Sequence, residues 1–208
     1  MAERRATVER KSKETEIKID LNIDGTGDVK ISTPIKILDH MLELFAFHGY
    51  FDLILDVQKA DTQIDLHHTN EDIGIVLGKT FKKALEADNY KGIRRFGSAC
   101  APMESTLGHS VVDISGRGYL TLKVGTPGET IAPIKDQEDY SMEYLHHFLE
   151  SFAHNLGATI NVMIERPSED LHTNIETVFK SLGMALDRAT EIDPRRQGMI
   201  PSTKGIID

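Results

Sequence analysis

The chain has 208 residues, a net charge of −9, 39% hydrophobic residues and one cysteine. The acidic excess excludes a general nucleic-acid binder, which needs surplus Lys and Arg to offset phosphate charge. No apolar run reaches the roughly 18 residues of a membrane span. The charged start, residues 1–13, lacks the apolar stretch of a signal peptide. A single cysteine, Cys100, excludes an internal disulfide and suits a reducing, cytoplasmic setting. Cys100 reads as a buried strand residue, because no neighbour in sequence would activate it.

Residues 14–23 alternate, with Ile17, Ile19, Leu21 and Ile23 on one face, which predicts a half-buried strand. Asp24-Gly25-Thr26-Gly27 is a turn, and residues 28–32 return as the second strand of a hairpin. Leu38, Met41, Leu42 and Phe45 recur at helical spacing over 37–47, and Gly49 ends that helix. A strand follows over 51–58, then a long helix over about 68–87. The pattern restarts after residue 90. Strands are expected over 92–101, 109–115 and 119–124, with Gly116-Arg117-Gly118 as a tight hairpin turn. A loop over 125–139 leads to a helix over 140–155, a strand over 158–165 and a helix over 172–191. The tail, 193–208, has no periodicity.

The restart is a repeat. Residues 38–46 align with 145–153 without a gap: His40 falls on His147, Glu43 on Glu150, Ala46 on Ala153. Leu77, Gly78 and Ala84 fall on Leu182, Gly183 and Ala189. Each half reads strands, helix, strand, helix. The fold class is therefore α/β (α+β), two duplicated half-domains in one compact unit. The first half-repeat is 1–90, the second 91–192, and 193–208 is a tail completing a phosphate site.

The chemistry lies in His67-His68-Thr69-Asn70-Glu71 and its echo, His172-Thr173-Asn174-Ile175-Glu176. On a helix, His67 and Glu71 stand one turn apart, and so do His172 and Glu176. Imidazole and carboxylate together suit first-row divalent metals. Adjacent histidines diverge by about 100° on a helix, so His67 and His68 suit two metals better than one. With His40 and His147 the repeat gives seven metal-ligand candidates: His40, His67, His68, Glu71, His147, His172 and Glu176. The eighth position holds Thr173. Three segments are suited to a small anion: Arg94-Arg95, Arg117, and Ser202-Thr203-Lys204. His109, His146 and His154 stand outside the repeat and read as surface or structural residues.

Leu38-Asp-His-Met-Leu, His67-His-Thr-Asn-Glu-Asp-Ile-Gly74, Arg95-Phe-Gly97, Asp113-Ile-Ser-Gly-Arg117, Phe179-Lys180 and the run from Asp193 to Gly205 together resemble the imidazoleglycerol-phosphate dehydratases, collinearly over nearly the whole chain. The resemblance implies a hydro-lyase (lyase) of histidine biosynthesis, an amino-acid biosynthesis pathway. It implies a fold like ribosomal protein S5 domain 2, and a homo-oligomer of 24 subunits with sites at subunit contacts. The substrate would be a small phosphorylated imidazole, and the cofactor Mn(2+), two per subunit. One metal would be held by His40, His68, Glu71 and His172, the other by His67, His147, Glu176 and residue 173. Glu14, Glu71 and Glu176 would be the acid/base residues. Glu14, His40, His48, His67, Arg95, Arg117, His172, Lys180, Ser202, Thr203 and Lys204 would contact substrate.

Three positions depart from the family's pattern: Thr173 for histidine, Leu44 for glutamine and Ser105 for an acidic residue. Thr173 predicts a weakened second metal site, since a neutral hydroxyl is a poorer ligand than imidazole. The alternatives are a paralogue with one strong metal acting on another phosphorylated substrate, and a non-catalytic metal-binding assembly protein.

Overall fold

A computed structural model describes residues 4–128 and 131–207. Glu129 and Thr130 of the expected 125–139 loop, the first three residues and the last residue of the tail lie outside it. The first half runs β1 (Arg5–Lys11), β2 (Glu16–Asn22), β3 (Val29–Ser32), α1 (Lys36–His48), β4 (Asp52–Lys59) and α2 (His67–Glu86). The second runs β5 (Phe96–Met103), β6 (Thr106–Asp113), β7 (Tyr119–Val124), α3 (Met142–Leu156), β8 (Thr159–Glu165) and α4 (Leu171–Thr190), followed by a 3-10 turn at Pro194–Arg196. The two four-stranded sheets share one order, β1-β2-β4-β3 and β5-β6-β8-β7. The repeat in sequence is thus a repeat in topology.

That order corrects both expected hairpins. β3 does not pair with β2; it runs parallel to β4, with Ile31 opposite Leu55. β7 likewise runs parallel to β8 and not beside β6. The turn residues are present, but a helix follows β3 and β7, so each is the first strand of a parallel crossover. Glycine-rich turns fix a reversal locally and leave the pairing partner open. β1, which was not expected, pairs antiparallel with β2 along its full length. It escaped notice because Arg-Ala-Thr-Val-Glu-Arg-Lys places only Ala6 and Val8 inward between charged residues, as an edge strand does. Cys100 is exposed, not buried. The pleat turns Gly97, Ala99 and Ala101 inward, so Cys100 faces out, with its Sγ 3.0 Å from His109 Nδ1 on β6.

The helices pair across the halves. α1 packs on α4, and α2 packs on α3. Their apolar stripes meet in an aromatic cluster in which Phe45, Phe81 and Phe152 make edge-on contacts, while Phe148 tilts against Phe179. Each of those rings contributes about 1.5–3 kcal/mol by leaving water. Close crossing requires glycine. A Cβ on Gly74 would lie 2.7 Å from the Phe148 carbonyl oxygen, and one on Gly78 2.6 Å from that of Phe152. Gly183 meets the Phe45 carbonyl in the same way at the α1–α4 crossing.

Candidate metal centre

The crossed pairing decides which ligands meet. α1 carries His40 to the start of α4, where His172 and Glu176 stand one turn apart. The His40 and His172 rings stack at 5.2 Å, His172 Nε2 is 3.0 Å from Glu176 Oε2, and His40 Nε2 is 3.7 Å from the same oxygen. One ligand atom from each lies within 4.8 Å of the others. α3 carries His147 to the start of α2 in the same manner. Its ring lies 4.6 Å from that of His67, and His67 Nε2 is 3.7 Å from Glu71 Oε2. The two trios are counterparts under the repeat.

Within one chain this differs from the expected division of ligands. His40 stands beside Glu176 and His172, and His147 beside His67, whose other neighbour is Glu71. The cause is the α1–α4 and α2–α3 pairing, which local periodicity does not encode. His68 joins neither trio. It faces outward beside Asp61, with Nδ1 3.4 Å from Asp61 Oδ2, and groups with Glu14 and Asp61. That hydrogen bond is the main cause raising His68 above the ordinary histidine range.

The donors fit a divalent cation. His147 Nδ1 is buried without a hydrogen-bond partner. The two oxygens of Glu176 face His172 and Lys180. Burial pulls its carboxyl up, but Lys180 and His172 outweigh it and hold it below the usual carboxylate range. A cavity of about 840 Å³ opens beside His67 and His147 and is also lined by Asp65, Asp136, Glu138, Asp139 and Glu143. No Lys or Arg is among its described lining residues. Such a wall attracts cations and repels a phosphate.

Thr173 is not a spare ligand. Its side chain is buried, and both its N–H and its hydroxyl donate to Asp170 Oδ2, at 3.0 and 2.7 Å. These are N-cap bonds of α4. Gln137 reinforces this end of the helix: it donates to Asp170 and accepts from the His172 N–H at 3.0 Å. Sequence reading missed Gln137 and Asp61, since loops bring both to their helices and no period links them.

The residues expected to bind an anion lie elsewhere. Arg95 donates to both oxygens of Asp113, at 2.7 and 3.2 Å, and to the Pro201 carbonyl at 3.2 Å, so it anchors the tail. Its backbone N–H reaches the carbonyl of Ala189, near the end of α4. At about 1.5 Å per residue, Ala189 lies roughly 25 Å along the helix from His172. Ser202, Thr203 and Lys204 follow Pro201 in an exposed turn, where the Lys204 N–H donates to Ser202 Oγ at 3.2 Å. Arg117 is exposed between β6 and β7, next to the end of α3, where Gly116 N–H donates to the Gly157 carbonyl at 2.8 Å. Lys180 and His48 lie nearer the His40–His172–Glu176 trio. Burial first, then the Lys180 charge, lowers His48 below the usual histidine range.

Comparison with known proteins places the chain in a family. The family model described as imidazoleglycerol-phosphate dehydratase matches residues 33–186. The imidazoleglycerol-phosphate dehydratase of Geobacter metallireducens is 46% identical over 202 residues, covering 97% of this chain and 98% of that protein. That of Pelobacter propionicus is 47% identical over 204 residues, covering 98% and 99%. The crystal structure of IGPD from Pyrococcus furiosus superposes with a TM-score of 0.76 at 33% identity, covering 96% of this chain and 99% of that one. With the repeat, the two trios and the collinear match, the chain belongs to the imidazoleglycerol-phosphate dehydratase family.

Proposed function

We propose that the chain removes water from imidazole glycerol phosphate to give imidazole acetol phosphate, the sixth step of histidine biosynthesis. The observation that carries this reading is the pair of histidine–carboxylate trios, one at each helix crossing. The proposed cofactor is manganese, two ions per chain. Bound there, it supplies Lewis-acid charge that favours loss of the otherwise non-acidic proton next to the imidazole ring.

The chain's own residues do the rest. His40, His172 and Glu176 hold one ion, and His67, Glu71 and His147 the other. Glu14 sits in the exposed β1–β2 turn within ligand distance of His68. It is the proposed proton carrier, taking the proton from one carbon or giving it to the departing hydroxide at the next. Glu71 and Glu176 are carboxylates of the same site, each engaged with a histidine. Arg117, Lys180, His48, Ser202, Thr203 and Lys204 are the proposed substrate and phosphate contacts, with Arg95 fixing the tail that presents the last three.

Trio and tail stand at opposite ends of α4, roughly 25 Å apart by helix rise, which exceeds the span of a small phosphorylated substrate. One chain does not close the site. This supports a homo-oligomer in which one chain's trio meets another chain's tail and outward His68, and the resemblance gives 24 subunits. Thr173, turned into its cap, leaves one of the two metal sites short of an imidazole, and that site is the weaker. No helix of the described residues is long and apolar enough to cross a membrane, and we place the protein in the cytoplasm.

The test is product formation from imidazole glycerol phosphate by the assembled protein. Activity should be lost on chelation and return with manganese. No turnover at saturating manganese would overturn the reading.

A further inference from the structure

The cluster of Glu14, Asp61 and His68 lies outside both trios, and Asp61 has no role in the chemistry described so far. We infer that Asp61 is a positioning residue that presents His68 Nε2 outward for a metal ion. The inference rests on the reading of His68 as a ligand.

Asp61 Oδ2 faces His68 Nδ1 at 3.4 Å. A carboxylate there accepts a hydrogen bond from the Nδ1–H, so the lone pair is on Nε2 and the ring plane is set. His68 needs such support. It is half-exposed at the first turn of α2 and meets the His67 ring edge-on at 5.7 Å. Asp61 is the better buried of the two, with a side chain 25% exposed against 48% for His68. It follows the end of β4 by two residues, so a strand fixes the carboxylate and the carboxylate fixes the imidazole.

The second half lacks the whole arrangement. Thr173 stands in the place of His68. The β5–β6 turn, counterpart of the turn that carries Glu14, holds the exposed Glu104 and Ser105. Arg166, just beyond β8, takes up the ground next to that turn, and its Nε donates to the Ser105 carbonyl at 2.8 Å. Where one half has Asp61 and His68, the other has an arginine and a threonine. Both changes remove support for a cation. Asp61 and His68 therefore work as one unit, kept in one half and absent from the other.

The experiment is manganese titration of the assembled protein by isothermal calorimetry, on wild type, His68→Ala, Asp61→Ala, Asp61→Asn and Asp61→Glu. Assembly size and melting temperature are measured alongside. His68→Ala should abolish or strongly weaken the tighter class of sites. Asp61→Ala and Asp61→Asn should weaken the same class about 10- to 100-fold, the usual effect of removing a carboxylate behind a metal-bound histidine. Asp61→Glu should recover part of the loss. If His68→Ala weakens binding but all three Asp61 variants bind as wild type, the inference is overturned and the ligand reading survives. If His68→Ala itself binds as wild type, His68 is not a ligand and both fall.

Discussion

Gly74→Ala tests whether the α2–α3 crossing builds a metal site. The added Cβ would sit 2.7 Å from the Phe148 carbonyl oxygen, where ordinary contact begins at 3.4 Å, and 3.3 Å from Ser151 Cβ. The nearest atom is backbone, so no rotamer relieves the clash and the helices must part by up to about 0.7 Å. Alanine gains about 1 kcal/mol of helix propensity over glycine. Overpacking of this kind costs about 1–3 kcal/mol and loosens the apolar contacts around it. The clash offsets that gain, for a net loss of up to about 2 kcal/mol. In a chain of this length that lowers the melting temperature by up to roughly 8 °C. Glu71 is one turn before Gly74, and His147 adjoins Phe148, so the same parting spreads the trio. Metal–ligand distances tolerate only about 0.2 Å. The variant should therefore lose manganese affinity at that site while the His40–His172–Glu176 site keeps its own. Calorimetric melting of the metal-free protein and a manganese isotherm read both effects. A variant that melts at or above wild type and binds two classes of manganese unchanged would refute the reasoning.

Gly183→Ala should do the converse, weakening the His40 site and sparing the other, as the same two measurements would show. His40→Ala and His147→Ala each remove one of three ligands, so bound manganese counted by elemental analysis should fall towards one per chain in either. Asp170→Ala removes the cap of α4 and should cost about 0.5–2 kcal/mol in urea unfolding. Thr173, through its hydroxyl first, holds the Asp170 carboxyl below its ordinary value of 3.8. A depressed folded value means that this stabilisation is complete above that pH and fades as pH falls through the folded value. The gap between wild type and variant should close in acid, and a gap that widens there would contradict the cap. Thr173→His should tighten the weaker class of manganese sites, bringing the two isotherms closer, with a small loss of metal-free stability from the missing cap bond.

Element types were largely legible because they depend on local patterns. Ile17-x-Ile19-x-Leu21 is a strand wherever it packs, and Leu38, Met41, Leu42 and Phe45 make a helical face without reference to a partner. The duplication was legible as well, because gapless identity survives at His40/His147 and Gly78/Gly183. Pairing was not. Nothing in the 24–27 or 116–118 turns says that the next strand skips its neighbour. Nor does anything within α1 say that it will lie on α4. That choice determined the grouping of ligands, so the seven proposed metal residues could be named while the trios could not. Cys100 shows the same limit on a smaller scale. Alternation over Gly97-Ser98-Ala99-Cys100-Ala101 fixes two faces, but small residues line both, and only the packing of α4 selects the inner one. Thr173 was visible as an oddity in sequence. Its commitment to Asp170 is set by the folded start of α4.

The central claim is that trio and tail of different chains make one dehydratase site. Co-expressing Glu176→Gln chains with Ser202→Ala/Lys204→Ala chains tests it most directly. Assemblies of either variant alone should fail to convert imidazole glycerol phosphate. Mixed assemblies should regain a measurable part of the wild-type rate, since some contacts then join an intact trio to an intact tail. Mixed assemblies as inactive as each parent, in an otherwise active protein, would contradict it.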